Sequence, residues 1–186
     1  MKARIKVLGV GGSGSNTVSR IVKFGVQGIE LIAINTDAQA LHFCKAPKKV
    51  LIGRNTTKGL GAGMDVALGQ ASAKESSQAI SEALKGADMV FITCGMGGGT
   101  GSGAAPVIAE ISKNLGILTV VVATTPFSFE GEQRKSIATQ ALKDLKGKVD
   151  SLLVVSNNKL LKMIDEKTTV SRAFEACDEI LRQEVK

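Results

Sequence analysis

Aromatic and metal-binding side chains are scarce in this sequence. It has no Trp, no Tyr and a single histidine, His42, among its 186 residues. The three cysteines lie far apart and form no CxxC pair, which argues against zinc sites and disulfide frameworks. Few aromatic rings are available to stack on bases, and the positive charges are scattered, which argues against nucleic-acid binding. We expect His42 on the surface or in packing rather than as a ligand.

Long apolar runs are also missing. No stretch reaches the roughly 20 apolar residues that a membrane-spanning helix needs. The first residues enter a strand directly, without the layout of a signal peptide. These features favour a cytoplasmic protein in a reducing compartment, with no direct insertion into a membrane. The formal charge of +7 predicts a basic surface or, alternatively, a phosphate ligand or an acidic partner.

The sequence is rich in alternating strand and helix patterns. Continuous β-branched runs predict buried parallel strands at residues 5–10, 30–35, 49–52, 89–93, 118–124 and 151–155. Helical spacing predicts helices near residues 15–24, 38–43, 66–84, 103–115, 132–146 and 169–186. The chain length suits one domain. The pattern predicts an α/β fold, with a doubly wound, mainly parallel sheet and helices on both faces.

Glycines cluster after the first predicted strand. Gly9, Gly11 and Gly14 fit the GxGxxG spacing of dinucleotide-binding loops. Such glycines let backbone N–H groups converge on an anion at the positive end of the following helix. A single match of this kind also describes a generic tight turn, so the spacing alone leaves both interpretations open.

A second and denser cluster runs from Gly95 to Gly103, where six of nine residues are glycine. A loop that only turned the chain would need one or two, because glycine costs folding entropy. We interpret the remainder as a second phosphate cradle, with Thr100 and Ser102 as hydroxyl donors. Two anion-binding loops beside parallel strands suit a nucleoside di- or triphosphate. A P-loop is excluded because GxxxxGK followed by Ser or Thr does not occur.

The run GGGTGSG, residues 97–103, resembles the signature of the tubulin/FtsZ family of GTPases. The segments AINTDAQAL, TKGLGAG, GADMVFIT and TTPFSFEG are similar to FtsZ in the same order, so the resemblance covers essentially all 186 residues. It implies a Rossmann-like tubulin/FtsZ GTPase domain that binds GTP or GDP. Mg²⁺ would be held through phosphates and water, without a direct metal-binding site in the protein.

The resemblance also implies which residues meet the phosphates. The first phosphate loop would comprise Gly11, Gly12, Ser13, Gly14, Ser15 and Asn16. The second would comprise Gly97, Gly98, Gly99, Thr100, Gly101, Ser102 and Gly103. A third loop, Gly61, Ala62 and Gly63, would sense the γ-phosphate, although its glycines alone equally describe a flexible surface loop. Ser13 replaces a glycine usual in the family, and a strongly positive φ would suit serine badly.

Ribose and base contacts are implied in the same way. Glu130 and Arg134 would lie near the ribose, although their spacing also suits a surface ion pair. Asn157 would approach the base. Phe174 would stack on it and Asp178 would select guanine; from the residues alone, Phe174 suits a core and Asp178 suits solvent.

Four further positions complete the comparison with the family. Arg20 and Asn35 also fall at family nucleotide-site positions. Glu132 and Gln133 stand where the family usually has positive charges, which would loosen phosphate or partner contacts.

The resemblance also bears on domain organisation. Residues 1–186 would form one GTP-binding domain that ends within a long helix, which in the family leads to a catalytic loop and a C-terminal domain. No catalytic residue is then expected in this chain, which would bind GTP or GDP but be deficient in hydrolysis and assembly. The full-length protein would self-associate head to tail in cytoplasmic filaments for cell division (septation), together with division-associated proteins.

Two other functions stay open at this point. One is a non-catalytic module that caps intact FtsZ filaments or serves as an interaction surface. The other is an NAD-binding Rossmann domain, which explains the first glycine cluster but not the second. Asp37, after the second strand, suits the ribose in such a domain, but no catalytic His or Lys constellation follows it.

Overall fold

The computed structural model describes residues 3–163, and these contain one parallel sheet of six strands. All five neighbouring pairs are parallel, in the order β3-β2-β1-β4-β5-β6. The strands are β1 (Ile5–Val10), β2 (Ile29–Asn35), β3 (Lys48–Leu51), β4 (Met89–Gly95), β5 (Leu118–Thr125) and β6 (Ser151–Ser156).

Seven helices accompany the sheet within the described residues. They are α1 (Gly11–Lys23), α2 (Ala38–Phe43), α3 (Val66–Glu75), α4 (Ser77–Leu84), α5 (Gly99–Asn114), α6 (Glu132–Leu145) and α7 (Asn157–Met163). A 3₁₀ turn, Ser128–Glu130, precedes α6. Two aliphatic clusters lie on opposite faces of the sheet, one with α1 and α2 and one with α4, α5 and α6. The predicted doubly wound α/β fold is therefore confirmed.

The predicted boundaries fail at the glycine clusters and at Ser76. Helices α1 and α5 begin at Gly11 and Gly99, ahead of the predicted starts at 15 and 103, because glycine is a poor helix former and masks the pattern. The helix predicted over 66–84 is two helices, broken at Ser76, whose hydroxyl accepts the N–H of Gly53 at 2.9 Å. Helix α7 was not predicted, and the helix predicted over 169–186 lies outside the described residues.

His42 and Cys94 both lie outside the predicted nucleotide-binding loops. His42 is exposed, with its ring edge-on to Phe43, so the prediction of a surface residue is confirmed. Burial raises the pKa of the Cys94 thiol to about 12, which keeps it protonated and inert. Within residues 3–163, no helix combines the length and apolar character needed to cross a membrane.

One charged side chain is buried in the sheet. Lys6 in β1 is 7% exposed. Its ammonium donates to the carbonyls of Ala83 and Lys85, both at 2.9 Å, and lies 3.1 Å from a Glu30 carboxylate oxygen. The carbonyls at a helix C-terminus lack partners within the helix. Lys6 therefore fastens the end of α4 to the central sheet.

We expect Lys6→Met to lower the free energy of unfolding by about 1–3 kcal/mol, because the buried Ala83 carbonyl and the partly buried Lys85 carbonyl lose their donor. Lys48→Met is the matched control, since Lys48 pairs with the same Glu30 at 3.5 Å but is itself partly exposed. That exposed pair should contribute at most about 1 kcal/mol. Urea unfolding followed by circular dichroism measures both, and equal losses would show that Lys6 acts only through Glu30.

Candidate functional site

The largest concentration of predicted site residues lies in a cleft at the carboxyl ends of β1 and β4. The chain leaves β1 toward β2 on one side and leaves β4 toward β5 on the other. Ligands of open α/β sheets bind at such a reversal of strand order. The cleft is lined by Val10, Gly11, Gly12, Ser13, Gly63, Gly95, Met96, Gly98, Gly99, Thr100, Gly101, Thr124, Pro126, Glu130, Arg134 and Asn157.

Two helices begin at this cleft without a side-chain cap. In the part of the chain that the structure describes, no side chain caps α1 or α5, and neither first turn carries an acidic residue. The first N–H groups of a helix lack intrahelical partners and carry a partial positive charge. Arg134 adds a positive charge, and Glu130 is the single acid among the lining residues that the structure describes. The arrangement favours a polyanion.

Glycines under α1 let the helix lie directly on the sheet. A Cβ on Gly14 would lie 2.4 Å from the Thr93 carbonyl oxygen in β4, and one on Gly9 would lie 2.1 Å from the Gly14 carbonyl oxygen. No real side chain tolerates such distances. These two glycines of the GxGxxG spacing therefore have a packing role, and they bring the start of α1 against both central strands.

The second glycine run has the same explanation at three positions. A Cβ on Gly99, Gly101 or Gly103 would lie 2.6, 2.3 or 2.2 Å from a backbone carbonyl oxygen of Asp65, Gly95 or Val66. The sequence analysis assigned the glycines beyond the one or two of a chain turn to a phosphate cradle, and it did not consider packing. Close packing of α5 against α3 and β4 accounts for these three.

Gly12 and Gly98 differ from the other glycines of the two clusters. Among the described residues, a Cβ on Gly12 would meet no atom within 4 Å, and the nearest atom to one on Gly98 is the Arg134 Nη1 at 3.8 Å. Neither residue has a positive φ. Neither conformation nor packing against residues 3–163 requires glycine here, although both residues line the cleft. A group that occupies the cleft would require it.

Ser13 fits its position without strain. It lies in the first turn of α1 and does not have a positive φ. Its side chain occupies space that Gly95 leaves open, since a Cβ on Gly95 would lie 2.7 Å from the Ser13 Cβ. The absence of a side chain on Gly95, at the end of β4, therefore makes room for serine where the family usually has glycine.

The third predicted loop reaches the cleft through Gly63. Its carbonyl accepts the Gly99 N–H at 2.8 Å, and Gly61 and Gly63 adopt positive φ values of 83° and 55°. These glycines are required by backbone conformation, in contrast to those of a merely flexible loop. Ala62 and Gly61 do not line the cleft; Ala62 is 5% exposed.

The turn before that loop is anchored by Glu75. Its carboxylate accepts the backbone N–H groups of Asn55 and Thr56, both at 3.0 Å, and also the Thr56 hydroxyl. These bonds hold the pKa of Glu75 below its ordinary value, with the Thr56 hydroxyl as the largest cause. An ionised Glu75 therefore keeps this turn against the end of α3 at neutral pH.

Glu130 and Arg134 both face the cleft, but not as a surface ion pair. Glu130 lies in the 3₁₀ turn and accepts the Phe127 N–H at 2.8 Å through Oε2, and Arg134 lies in α6. The described residues contain no ion pair between the two. One carboxylate oxygen is thus held by the backbone. Asn157, 5% exposed, completes the cleft at the β6 side.

The remaining predicted residues do not line the cleft, or they lie outside the described residues. Ser102 accepts the Gly97 N–H at 2.9 Å, and Asn35 accepts the Thr36 N–H at 2.8 Å, so both support loop backbone. The predicted residues that do not line the cleft are Gly14, Ser15, Asn16, Arg20, Asn35, Gly61, Ala62, Gly97, Ser102 and Gly103. Phe174 and Asp178 lie outside the described residues.

Sequence reasoning missed five lining residues: Val10, Gly95, Met96, Thr124 and Pro126. All lie at or just beyond the ends of β1, β4 and β5, a position that the strand pattern could have indicated. Asp37, which an NAD-binding domain would direct to a ribose, instead caps α2 by accepting the Ala40 N–H at 2.9 Å.

The two classes of glycine should respond differently to alanine. Gly14→Ala should lower the free energy of unfolding by about 1–3 kcal/mol, as overpacking does. Gly12→Ala, its control in the same helix, should be no less stable than wild type, because alanine favours a helix over glycine by up to about 1 kcal/mol. Chemical unfolding measures both, and a comparable loss in Gly12→Ala would contradict the assignment of free space at Gly12.

Comparison with known proteins agrees with this geometry. Residues 4–165 match the family described as "Tubulin/FtsZ family, GTPase domain". The solved structure "FtsZ dimer, empty" from M. jannaschii is 49% identical, with a TM-score of 0.92, over 97% of this chain and 52% of that one.

Two structures from Haloferax volcanii are more distant, each 27% identical. They are a CetZ2 "GTPgS bound protofilament" (TM-score 0.87, 98% of this chain and 57% of that one) and a CetZ1 "GDP bound monomer" (TM-score 0.84, 96% and 57%). The chain thus spans about half the length of the structures it matches. Together with the cleft between two glycine-rich helix starts, these matches show that the chain belongs to the Tubulin/FtsZ family and has its GTPase-domain fold.

Proposed function

We propose that the chain is the guanine-nucleotide-binding domain of an FtsZ-type, filament-forming GTPase. Membership of the family implies GTP or GDP binding. The observation that carries the proposal is the free space over Gly12 and Gly98, between two uncapped helix starts. A polyphosphate would fill that space and accept the free N–H groups.

Different residues of the cleft would contact the phosphates, the ribose and the base of the nucleotide. The starts of α1 and α5, with Thr100, would hold the phosphates, and Glu130 and Arg134 would lie at the ribose. Asn157, Phe174 and Asp178 would hold the base. Because Asn157 follows β6 and Gly63 lies toward β2, the terminal phosphate would point to Gly63. Asn35, which is buried, and Arg20 would support the loops without touching the nucleotide.

Mg²⁺ would be bound by phosphate oxygens and water. The described residues contain no group of three or more His, Cys, Asp or Glu that could hold a metal ion, and Mg²⁺ commonly keeps several waters beside substrate phosphates. When bound, the ion would neutralise charge on the phosphates, and the N–H groups of α1 and α5 would orient them.

Hydrolysis would be slow in these 186 residues alone. The only acid among the described lining residues is Glu130, and its Oε2 is engaged by the Phe127 N–H. We propose that the water-activating group comes from a second subunit, in a head-to-tail filament. The similar CetZ2 structure is a protofilament, which supports such assembly. A cytoplasmic role in cell division, with division-associated partners, belongs to the same proposal.

The scarcity of acids among the described lining residues equally suits a second candidate, a non-catalytic module that caps filaments.

Nucleotide identity is the first test. The purified chain is denatured and any released nucleotide is identified by chromatography; the absence of Trp and Tyr leaves absorbance near 260 nm almost wholly to the ligand. We expect guanine nucleotide at close to one per chain, and added GTP with Mg²⁺ should bind to any empty fraction. Gly98→Val should reduce the bound amount while it keeps the circular dichroism spectrum. An adenine nucleotide or NAD, or no binding of added GTP, would overturn the proposal.

Turnover and assembly form a separate test. We expect the 186-residue chain to release phosphate from GTP slowly, at a rate per chain that does not rise with protein concentration, and to remain in the supernatant on sedimentation. Phosphate release and pelleting are measured across a concentration series. Fast turnover that rises with concentration, together with pelleted filaments, would show that these residues contain a complete active site.

A further inference from the structure

Thr36, the residue after β2, is fully buried, and each of its polar groups makes a hydrogen bond. It is 0% exposed. Its N–H donates to the Asn35 Oδ1 at 2.8 Å. Its carbonyl accepts the Gly61 N–H at 3.2 Å and the Thr57 hydroxyl at 3.3 Å. Its own hydroxyl lies 2.7 Å from that of Thr100.

These contacts join two walls of the cleft. Thr100 lines the cleft in the first turn of α5. Gly61 and Thr57 belong to the segment of residues 57–63, which ends at the lining residue Gly63. Thr36 is therefore one buried residue that binds the start of α5 with its side chain and the 57–63 segment with its carbonyl.

The hydrogen bond between the Thr36 and Thr100 hydroxyls can run in either direction, and a bound ligand can select one. Either hydroxyl can donate to the other, and each has a single proton to give. An ionised phosphate oxygen only accepts hydrogen bonds, so a phosphate beside Thr100 would accept a hydrogen bond from the Thr100 hydroxyl. Thr36 must then donate to Thr100, and a chain of donors aligned in this way strengthens each of its bonds.

We propose that Thr36 is a positioning residue that makes the 57–63 segment responsive to the terminal phosphate bound at Thr100. The inference rests on the proposed function, since it assigns a step in nucleotide discrimination to the same cleft. Thr36 itself does not line the cleft. Its hydroxyl orders Thr100 for the phosphate, and its carbonyl holds Gly61 in place beside it. Loss of the hydroxyl should therefore affect the triphosphate more than the diphosphate.

The test compares GTPγS and GDP affinities, by isothermal titration calorimetry with Mg²⁺, in wild type, Thr36→Val and Thr36→Ser. Thr36→Val should weaken GTPγS binding about fivefold, the loss expected for one hydrogen bond, and GDP binding less than about twofold. Thr36→Ser, which keeps the hydroxyl, should restore the wild-type ratio. Amide hydrogen exchange gives a second readout: GTPγS should protect Gly61 in wild type and Thr36→Ser, but less in Thr36→Val.

Thr119 offers a matched control at the opposite end of the sheet. It is also 0% exposed, and its hydroxyl bonds the Ser112 hydroxyl at 2.8 Å. Thr119→Val should lower stability to a similar extent but leave the GTPγS-to-GDP ratio unchanged.

The outcomes separate the two proposals. The role of Thr36 would be overturned if Thr36→Val left the GTPγS-to-GDP affinity ratio unchanged, or if Thr36→Ser failed to restore that ratio. Guanine-nucleotide binding would stand in either case. Failure of wild type to bind either ligand would overturn the proposed function and this inference with it.

Discussion

The structure depends on direct contact between backbones where α1 and α5 meet the central strands. At Gly14 and Gly101 a Cβ would lie 2.4 Å from the Thr93 carbonyl oxygen and 2.3 Å from the Gly95 carbonyl oxygen. With no side chain between helix and strand, both helix starts reach the same edge of the sheet. The first N–H groups of both helices then lie at one cleft, with that of Gly99 taken by the Gly63 carbonyl. A layer of side chains between helix and strand would have kept the two helix starts apart.

This contact has an electrostatic consequence. Two partial positive charges at helix starts, with Arg134 beside them, repel one another in a space where Glu130 is the one acid among the described lining residues. An anion offsets that repulsion and supplies acceptors for the free N–H groups. Among residues 3–163, the charges at the cleft thus favour a ligand that carries negative charge. Anything that binds the folded state in this way also stabilises it.

Hydrogen bonds between residues distant in sequence hold the side of the cleft that is nearest to β2. Gly63 accepts the Gly99 N–H, Glu75 anchors the turn before that loop, and Thr36 bonds Thr100 across 64 positions. None of these contacts is made by a charged group inside the cleft. The shape of the cleft near its β2 side therefore depends on two hydrogen bonds between neutral groups and on those that the Glu75 carboxylate accepts.

The sequence by itself determined the parallel strands, because buried strands need continuous β-branched runs, and it determined where glycines cluster after β1 and β4. It also carried the motif GGGTGSG, from which the family follows. Only the tertiary structure decided that Gly14 and Gly103 serve packing whereas Gly12 and Gly98 leave open space, and that Asp37 caps a helix. These roles depend on atoms from segments far apart in the chain. Local periodicity reports which face of an element is apolar, and it contains no information on which backbone atom will lie opposite.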